Sequence, residues 1–230
     1  MGLSRRQFIP VLGTLAAGAW VRAAAAASPP THGAPAPAAT PEQIWAELME
    51  GNGRFVAGKL RPRNLAQLRS EIAKGQQPRV IVLGCSDSRV DPTTLFDQAP
   101  GDLFVVRTAG NVAGPVDLGS MEYAAEHLHS SVLLVLGHRK CGAVAAALSG
   151  EKMPSPNLEA IVTKIAPAVE KVRGRAEGDQ LLQLAVEANV EQSAQDVLAN
   201  SPILAKAVEA GKLTVKKAVY KLASGKVVRL

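Results

Sequence analysis

Three short apolar runs set the rhythm of this chain. They are Val80 to Leu83 (VIVL), Leu103 to Arg107 (LFVVR) and Ser131 to Leu136 (SVLLVL). Each is rich in β-branched residues and bounded by turn residues, so each reads as a strand buried on both faces, as in a parallel sheet. Gly84 closes the first run and Gly137 the third. Helical patterns fall between and around them. Glu42 to Lys59 carries an apolar stripe (Ile44, Trp45, Leu48, Met49, Phe55, Val56) interrupted by Gly51 and Gly53, with Thr40 as N-cap and Pro41 as first helical residue. A short helix is expected from Asn64 to Lys74, ended by Gly75. A helical turn is expected from Pro92 to Asp97, capped by Asp91, and Pro100-Gly101-Asp102 reads as a turn. Longer helices are expected from about Val116 to His127 and from Gly142 to Leu148. The pattern stays helical from Leu158 to about Ala210, with breaks near Gly174, Gly178 and Ser201-Pro202. Leu213 to Leu222 and Lys226 to Leu230 flank Ser224-Gly225 as a hairpin or edge strand. Strands alternating with helices predict an α/β fold, a mostly parallel central sheet flanked by helices.

The first 41 residues stand outside that pattern. Arg5 and Arg6 precede an apolar segment from Phe8 to about Val21, and Ala23 to Ala27 offer small-residue cleavage options, which is the layout of a signal peptide. Ser4-Arg5-Arg6-Gln7-Phe8-Ile9 closely resembles the twin-arginine export signal. That resemblance implies export to the periplasm by the twin-arginine machinery, with an uncleaved membrane anchor as the alternative. Ser28 to Pro41 is a Pro/Ala-rich linker that includes His32. The expected organisation is therefore a signal peptide at 1–27, a linker at 28–41 and one domain at 42–230.

Composition narrows the partners. The chain has 230 residues, 47% hydrophobic and 20% charged, enough for one domain with a substantial core. Its formal charge of +6 is scattered, and aromatic residues make up only 3%, so no nucleic-acid surface is expected. Cys85 and Cys141 are the only cysteines. An exported protein with two cysteines invites a disulfide, but their positions favour another role. Cys85 follows Gly84 at one strand end, and His138 follows Gly137 at another, with Cys141 one turn later. Ends of neighbouring parallel strands lie about 4.8 Å apart, so the three can converge as a Cys₂His set with a fourth position open, the pattern of a catalytic Zn²⁺. Taken alone, His138-x-x-Cys141 is weak, since it arises by chance.

With its neighbours the pattern becomes specific. Cys85-Ser86-Asp87-Ser88-Arg89 with His138-x-x-Cys141 resembles the β-class carbonic anhydrases, and the likeness extends through Arg107 to Asn111, Ser120 to Ala124, Glu187 to Leu204 and Tyr220 to Val227. It covers about residues 42 to 230. The resemblance implies one Zn²⁺ per subunit on Cys85, His138 and Cys141, and reversible hydration of CO₂ to bicarbonate by zinc-bound hydroxide. Asp87 would accept a hydrogen bond from the hydroxide, held in a bidentate pair by Arg89; released, Asp87 becomes a conditional fourth ligand. By the same resemblance Gln76 binds substrate across a dimer interface, Phe104 and Tyr123 line the CO₂ pocket, and Val82, Ala109 and Gly142 neighbour it. A homodimer or higher homo-oligomer follows. The bicarbonate-inhibited branch of the family carries Trp three residues before the first zinc cysteine; Val82 stands there, so an open state with Asp87 on Arg89 is expected. His127 and His129 are possible proton relays. Two alternatives remain: COS or CS₂ hydrolysis on the same scaffold, and a non-catalytic zinc or bicarbonate-binding protein.

Overall fold

The computed structural model describes residues 39–230; the signal peptide, the twin-arginine motif and most of the linker lie outside them. The compact unit starts at Ala39, so Thr40 and Pro41, placed in the linker by composition, belong to the domain. The first helix, α1, is Pro41–Val56. Thr40 Oγ1 accepts from the Gln43 N–H while Gln43 Oε1 accepts from the Thr40 N–H, a reciprocal cap. The remaining helices are α2 (Leu65–Ile72), α3 (Pro92–Leu95), α4 (Pro115–Glu126), α5 (Gly142–Ser149), α6 (Pro156–Glu170), α7 (Gly178–Asn200) and α8 (Pro202–Glu209). The strands are β1 (Val80–Cys85), β2 (Leu103–Thr108), β3 (Val132–His138), β4 (Thr214–Lys221) and β5 (Lys226–Arg229). They form one sheet in the order β2-β1-β3-β4-β5, parallel except for the final antiparallel hairpin.

Alternation along each strand sends successive side chains to opposite faces. Val80, Val82, Leu134, Leu136, Ala218 and Tyr220 meet Ile44, Trp45 and Leu48 of α1 on one face. Ile81, Leu83 and Leu133 meet α4, α7 and α8 on the other, where Val135 and Val219 meet α5, α6 and α7. The stripe of α1 breaks at Gly51 because α3 arrives there: a Cβ on Gly51 would lie 1.8 Å from the Phe96 carbonyl oxygen. Asp97, fully buried just past α3, ties this corner by accepting from Arg54 Nε at 2.5 Å and pairing with Arg63 Nη1 at 2.9 Å.

Two expectations change. Gly84 and Gly137 do not end their strands; Gly84 pairs with Arg107 and Leu136, and Gly137 with Val219, so both lie inside the sheet. For Gly137 the reason is close approach, since a Cβ there would come within 2.4 Å of Val190 Cγ2 on α7. And β2 is not buried on both faces: it is an edge strand in which only Val106 is buried. Helix α4 covers it in part and leaves Val116 82% and Tyr123 48% exposed.

Gly137→Ala therefore has to push α7 away from the sheet. We expect a loss of about 2 kcal/mol or more, seen as a fall in Tm of at least about 4 °C. Gly84→Ala, whose Cβ would meet nothing nearer than 3.9 Å, should shift Tm far less.

Candidate metal centre

The β1–β3 register decides the site. Gly84 pairs with Leu136, so Cys85 ends β1 one step short of His138 at the end of β3. Cys141 is the residue that opens α5. The two Sγ atoms and a ring nitrogen of His138 all lie within 4.8 Å of one another, and all three residues are buried. The His138 ring is fixed from behind: Nδ1 hydrogen-bonds the Arg139 carbonyl at 2.9 Å, and Nε2 is buried without a hydrogen-bond partner. A buried polar atom without a partner is costly, and a ring anchored through one nitrogen so that the other faces a metal is the usual arrangement of histidine ligands. Two thiols and this nitrogen suit Zn²⁺. The residues present therefore fit that ion.

The thiols are tuned by their neighbours. The Cys85 thiol is pulled down to about 4 by the hydrogen bond from Cys141, with His138 and the N–H groups of Asp87 and Gly110 adding to it against burial. Cys141 is pushed up by the same contact with Cys85 and by burial. Cys85 thus carries thiolate character, the form that binds metal. Both cysteines are free.

Asp87 stands beside this triad. Its Oδ1 accepts from the Arg89 N–H at 3.0 Å and Nε at 2.9 Å, and its Oδ2 from Arg89 Nη2 at 2.7 Å. Oδ2 is 3.8 Å from His138 Nε2. The Arg89 guanidinium, then its backbone N–H and the nearby His138, hold the carboxyl below the usual carboxylate range. A carboxylate so placed can accept a hydrogen bond from a group bound at the centre.

The other residues singled out in the sequence fall elsewhere. Gly142 follows Cys141 and, with Ala109, Ala143, Ala146, Ile161 and Val162, lines an apolar pocket of about 270 Å³. Gln76 precedes β1 and is exposed, at the opposite end of that strand from Cys85. Phe104 pairs with Ile81, four residues before Cys85, or about 13 Å along the strand. Tyr123 stacks near Phe104 at 6.3 Å and near His127 at 5.2 Å. His129 precedes β3, whose far end carries His138. Within one chain, then, Gln76, Phe104, Tyr123, His127 and His129 are not brought to the triad.

Other supports lie in stretches marked in the sequence, Arg107 to Asn111 and Glu187 to Leu204, but given no role there. Arg107 Nε donates to the Cys85 carbonyl at 2.9 Å and Nη2 to the Asp87 carbonyl at 2.6 Å, strapping the 85–87 loop to β2. Gly110, at φ 74°, aims its N–H at Cys85 Sγ, 3.3 Å away. That turn is held by α7, where Asn189 Nδ2 donates to the Gly110 carbonyl at 2.8 Å and Asn111 Nδ2 donates to Ser193 Oγ at 3.3 Å. The available signal was Asn189 interrupting an apolar helix face of Ala185, Val186, Val190 and Ala194. A buried polar residue on such a face needs a partner.

Comparisons with known proteins place these features in a family. Residues 80–227 match the family profile described as carbonic anhydrase. The chain is 37% identical to carbonic anhydrase 2 of Mycobacterium tuberculosis, over 84% of this chain and 94% of that one. A β-carbonic anhydrase of Aspergillus fumigatus superposes with a TM-score of 0.67 at 27% identity, covering 81% of this chain and 90% of that one. A structure from a study of two tetrameric β-carbonic anhydrases of Sordaria macrospora superposes with a TM-score of 0.65 at 25% identity, covering 81% and 96%.

Asn189→Ala leaves all three ligand residues in place but removes the support of the Gly110 turn. Zinc affinity, measured by competition with a chromogenic chelator, should fall by roughly 10- to 100-fold. Cys85→Ser should abolish stoichiometric binding.

Proposed function

The chain belongs to the carbonic anhydrase family, in its β class, and from that premise we propose that it holds one Zn²⁺ on Cys85, His138 and Cys141 and interconverts CO₂ and bicarbonate there. The observation that carries the reading is the buried Cys-His-Cys triad beside a carboxylate clamped by Arg89. When bound, the metal supplies the acidity that turns water into a nucleophile near neutral pH. The protein does the rest. Two thiolate ligands offset the charge of a divalent ion, which weakens its pull on a proton. Asp87 serves orientation rather than acidity: Oδ2 would accept a hydrogen bond from the nucleophile and so direct a lone pair at the substrate carbon. Arg89 keeps that oxygen turned toward the centre, and Arg107 keeps the loop beneath it from shifting. Ala109 and Gly142 give the centre an apolar flank suited to a small uncharged substrate.

We further propose that the working unit is an oligomer. Phe104 and Tyr123 lie together at the β2 edge and Gln76 lies beside Gly101, just before β2, all away from the triad of their own chain, and this edge with α4 carries the exposed Val116 and Tyr123. A second copy packed there would bring those residues to a neighbour's triad. The tetrameric Sordaria macrospora relatives support an oligomer. Export through the twin-arginine route to the periplasm stays part of the proposal, resting on Ser4 to Ile9.

Stopped-flow CO₂ hydration on zinc-replete protein is the direct test. Asp87→Asn should lower kcat/KM by about 100-fold or more with zinc content unchanged; an unchanged rate would refute its role. Because the Asp87 carboxyl sits below the usual carboxylate range, it stays ionised from weakly acid to alkaline pH. Any rise in rate near neutrality then reports another group, and Asp87→Asn, which removes a negative charge beside that group, should lower the plateau and move the midpoint to lower pH. For the shared site, refolding an equal mixture of Asp87→Asn and Gln76→Ala chains should restore about a quarter of wild-type activity, since half of the randomly paired dimers contain one intact composite site.

A further inference from the structure

Read along the whole chain, the formal charge of +6 looks scattered. Yet residues 54–74 hold six cations (Arg54, Lys59, Arg61, Arg63, Arg69, Lys74) against one carboxylate, a net charge of +5. The first part of that segment, 57–64, is a held loop. Gly58, at φ 66°, closes α1, and the Lys59 N–H donates back to the Arg54 carbonyl at 2.9 Å. Asp97, whose side chain is fully buried, then grips the loop from below. It accepts from the Arg61 N–H at 3.2 Å and pairs with Arg63 at 2.9 Å and with Arg54 at 2.5 Å. Arg63 also donates to the Asp97 carbonyl. The tip, Lys59-Leu60-Arg61, points no part of itself into the core: all three residues are exposed, and Leu60 belongs to none of the apolar layers. Leu60 is 45% exposed and Val56 40%. The β4–β5 turn reaches the same corner, where a Cβ on Gly225 would lie 3.4 Å from Val56 Cγ2, and the exposed Lys226 follows it. Lys59, Arg61 and Lys226 pair with no carboxylate among the described side chains. A buried carboxylate is costly unless it is paired. Here its pairing fixes a loop that presents a leucine between two cations to the outside. Cations beside an exposed apolar residue suit an anionic lipid surface, and a loop ordered before contact loses little entropy on docking.

We propose that the 57–64 loop docks the protein on anionic phospholipid, with Lys59 and Arg61 on headgroup phosphates and Leu60 in the interfacial layer. The exposed Leu60 and Val56 favour lipid over nucleic acid, which offers no apolar layer for them to enter. The export proposed above agrees with that choice, since it sets the chain beside membranes. The docking itself rests on the loop alone and shares no residue with the metal centre.

The probes are vesicles of equal parts phosphatidylglycerol and phosphatidylcholine, and of phosphatidylcholine alone, mixed with zinc-replete full-length protein at low ionic strength. Hydrogen–deuterium exchange reads the loop itself, apart from any binding by the apolar segment near the N-terminus. The amides of 57–64 should exchange more slowly on the anionic vesicles and at an unchanged rate on the neutral ones. In co-sedimentation, Lys59→Gln and Arg61→Gln should each weaken binding to the anionic vesicles by about fivefold, and Leu60→Ser by a similar factor, while Lys59→Arg retains it. All four variants should keep the wild-type Tm and CO₂ hydration rate. Unchanged exchange at 57–64 on anionic vesicles would overturn the proposal. So would an anionic preference that survives Lys59→Gln combined with Arg61→Gln, which would assign the binding to another part of the chain. Protection of the loop by a DNA duplex but not by vesicles would make the partner a nucleic acid and overturn the choice of lipid. Wild-type affinity in Leu60→Ser would overturn the place given to Leu60.

Discussion

The hydrogen-bond register between β1 and β3 is the constraint on which the site depends. It sets Gly84 beside Leu136 and so fixes how far Cys85 and His138 stand from each other at the sheet's carboxyl edge. A slip of one residue would reverse which side chains face which layer of helices. It would send Leu133 and Val135 to the α1 face and separate the two ligands. The register is strongly specified because both faces are covered: every residue of β1 and β3 is buried. The apolar layers that stabilise the domain thus also align its ligands.

Helix α7 carries that alignment into the second layer. It lies close enough to the sheet that only glycine fits at 137, and from the same face Asn189 and Ser193 hold the turn containing Gly110 and Asn111. The tight packing and the polar contacts depend on each other. If α7 moved outward to admit a side chain at 137, the hydrogen bond from Asn189 to the Gly110 carbonyl would lengthen, and the N–H that meets Cys85 Sγ would lose its direction. Support for a metal ligand here is a property of helix-to-sheet distance as much as of any one residue.

Much of this was legible in the chain, though not always for the right reason. Val80 to Leu83 and Ser131 to Leu136 read as buried strands because their pattern is uninterrupted, and their neighbours in the sheet are other strands of the same unit. Gly84 and Gly137 read as strand ends because glycine so often punctuates; the approach of Val190 to Gly137 is a tertiary fact with no local trace. Leu103 to Arg107 looks as apolar as the others, yet it is an edge strand, since strand order is not written in any single run. The triad could be assembled from spacing because each ligand lies next to a strand end. Arg107, Gly110 and Asn189 act through backbone groups, and a backbone carbonyl or N–H leaves no mark in the residue code.

The clamp on Asp87 differs from the rest of the centre in one respect: Arg89 is 57% exposed, whereas the three ligand residues are buried. Exposed ion pairs contribute little to stability and are weakened by salt, so their usual value is not structural. The loop below is held independently. Arg107 binds the carbonyls of Cys85 and Asp87, and the Ser86 N–H donates to the Thr108 carbonyl at 3.1 Å. Release of Asp87 from Arg89 therefore needs only side-chain rotation, with no change in the backbone that carries Cys85. A strong, buried clamp would fix Asp87 permanently. A modest, exposed one on a rigid loop leaves the carboxylate free to reorient while the backbone that carries Cys85 stays fixed.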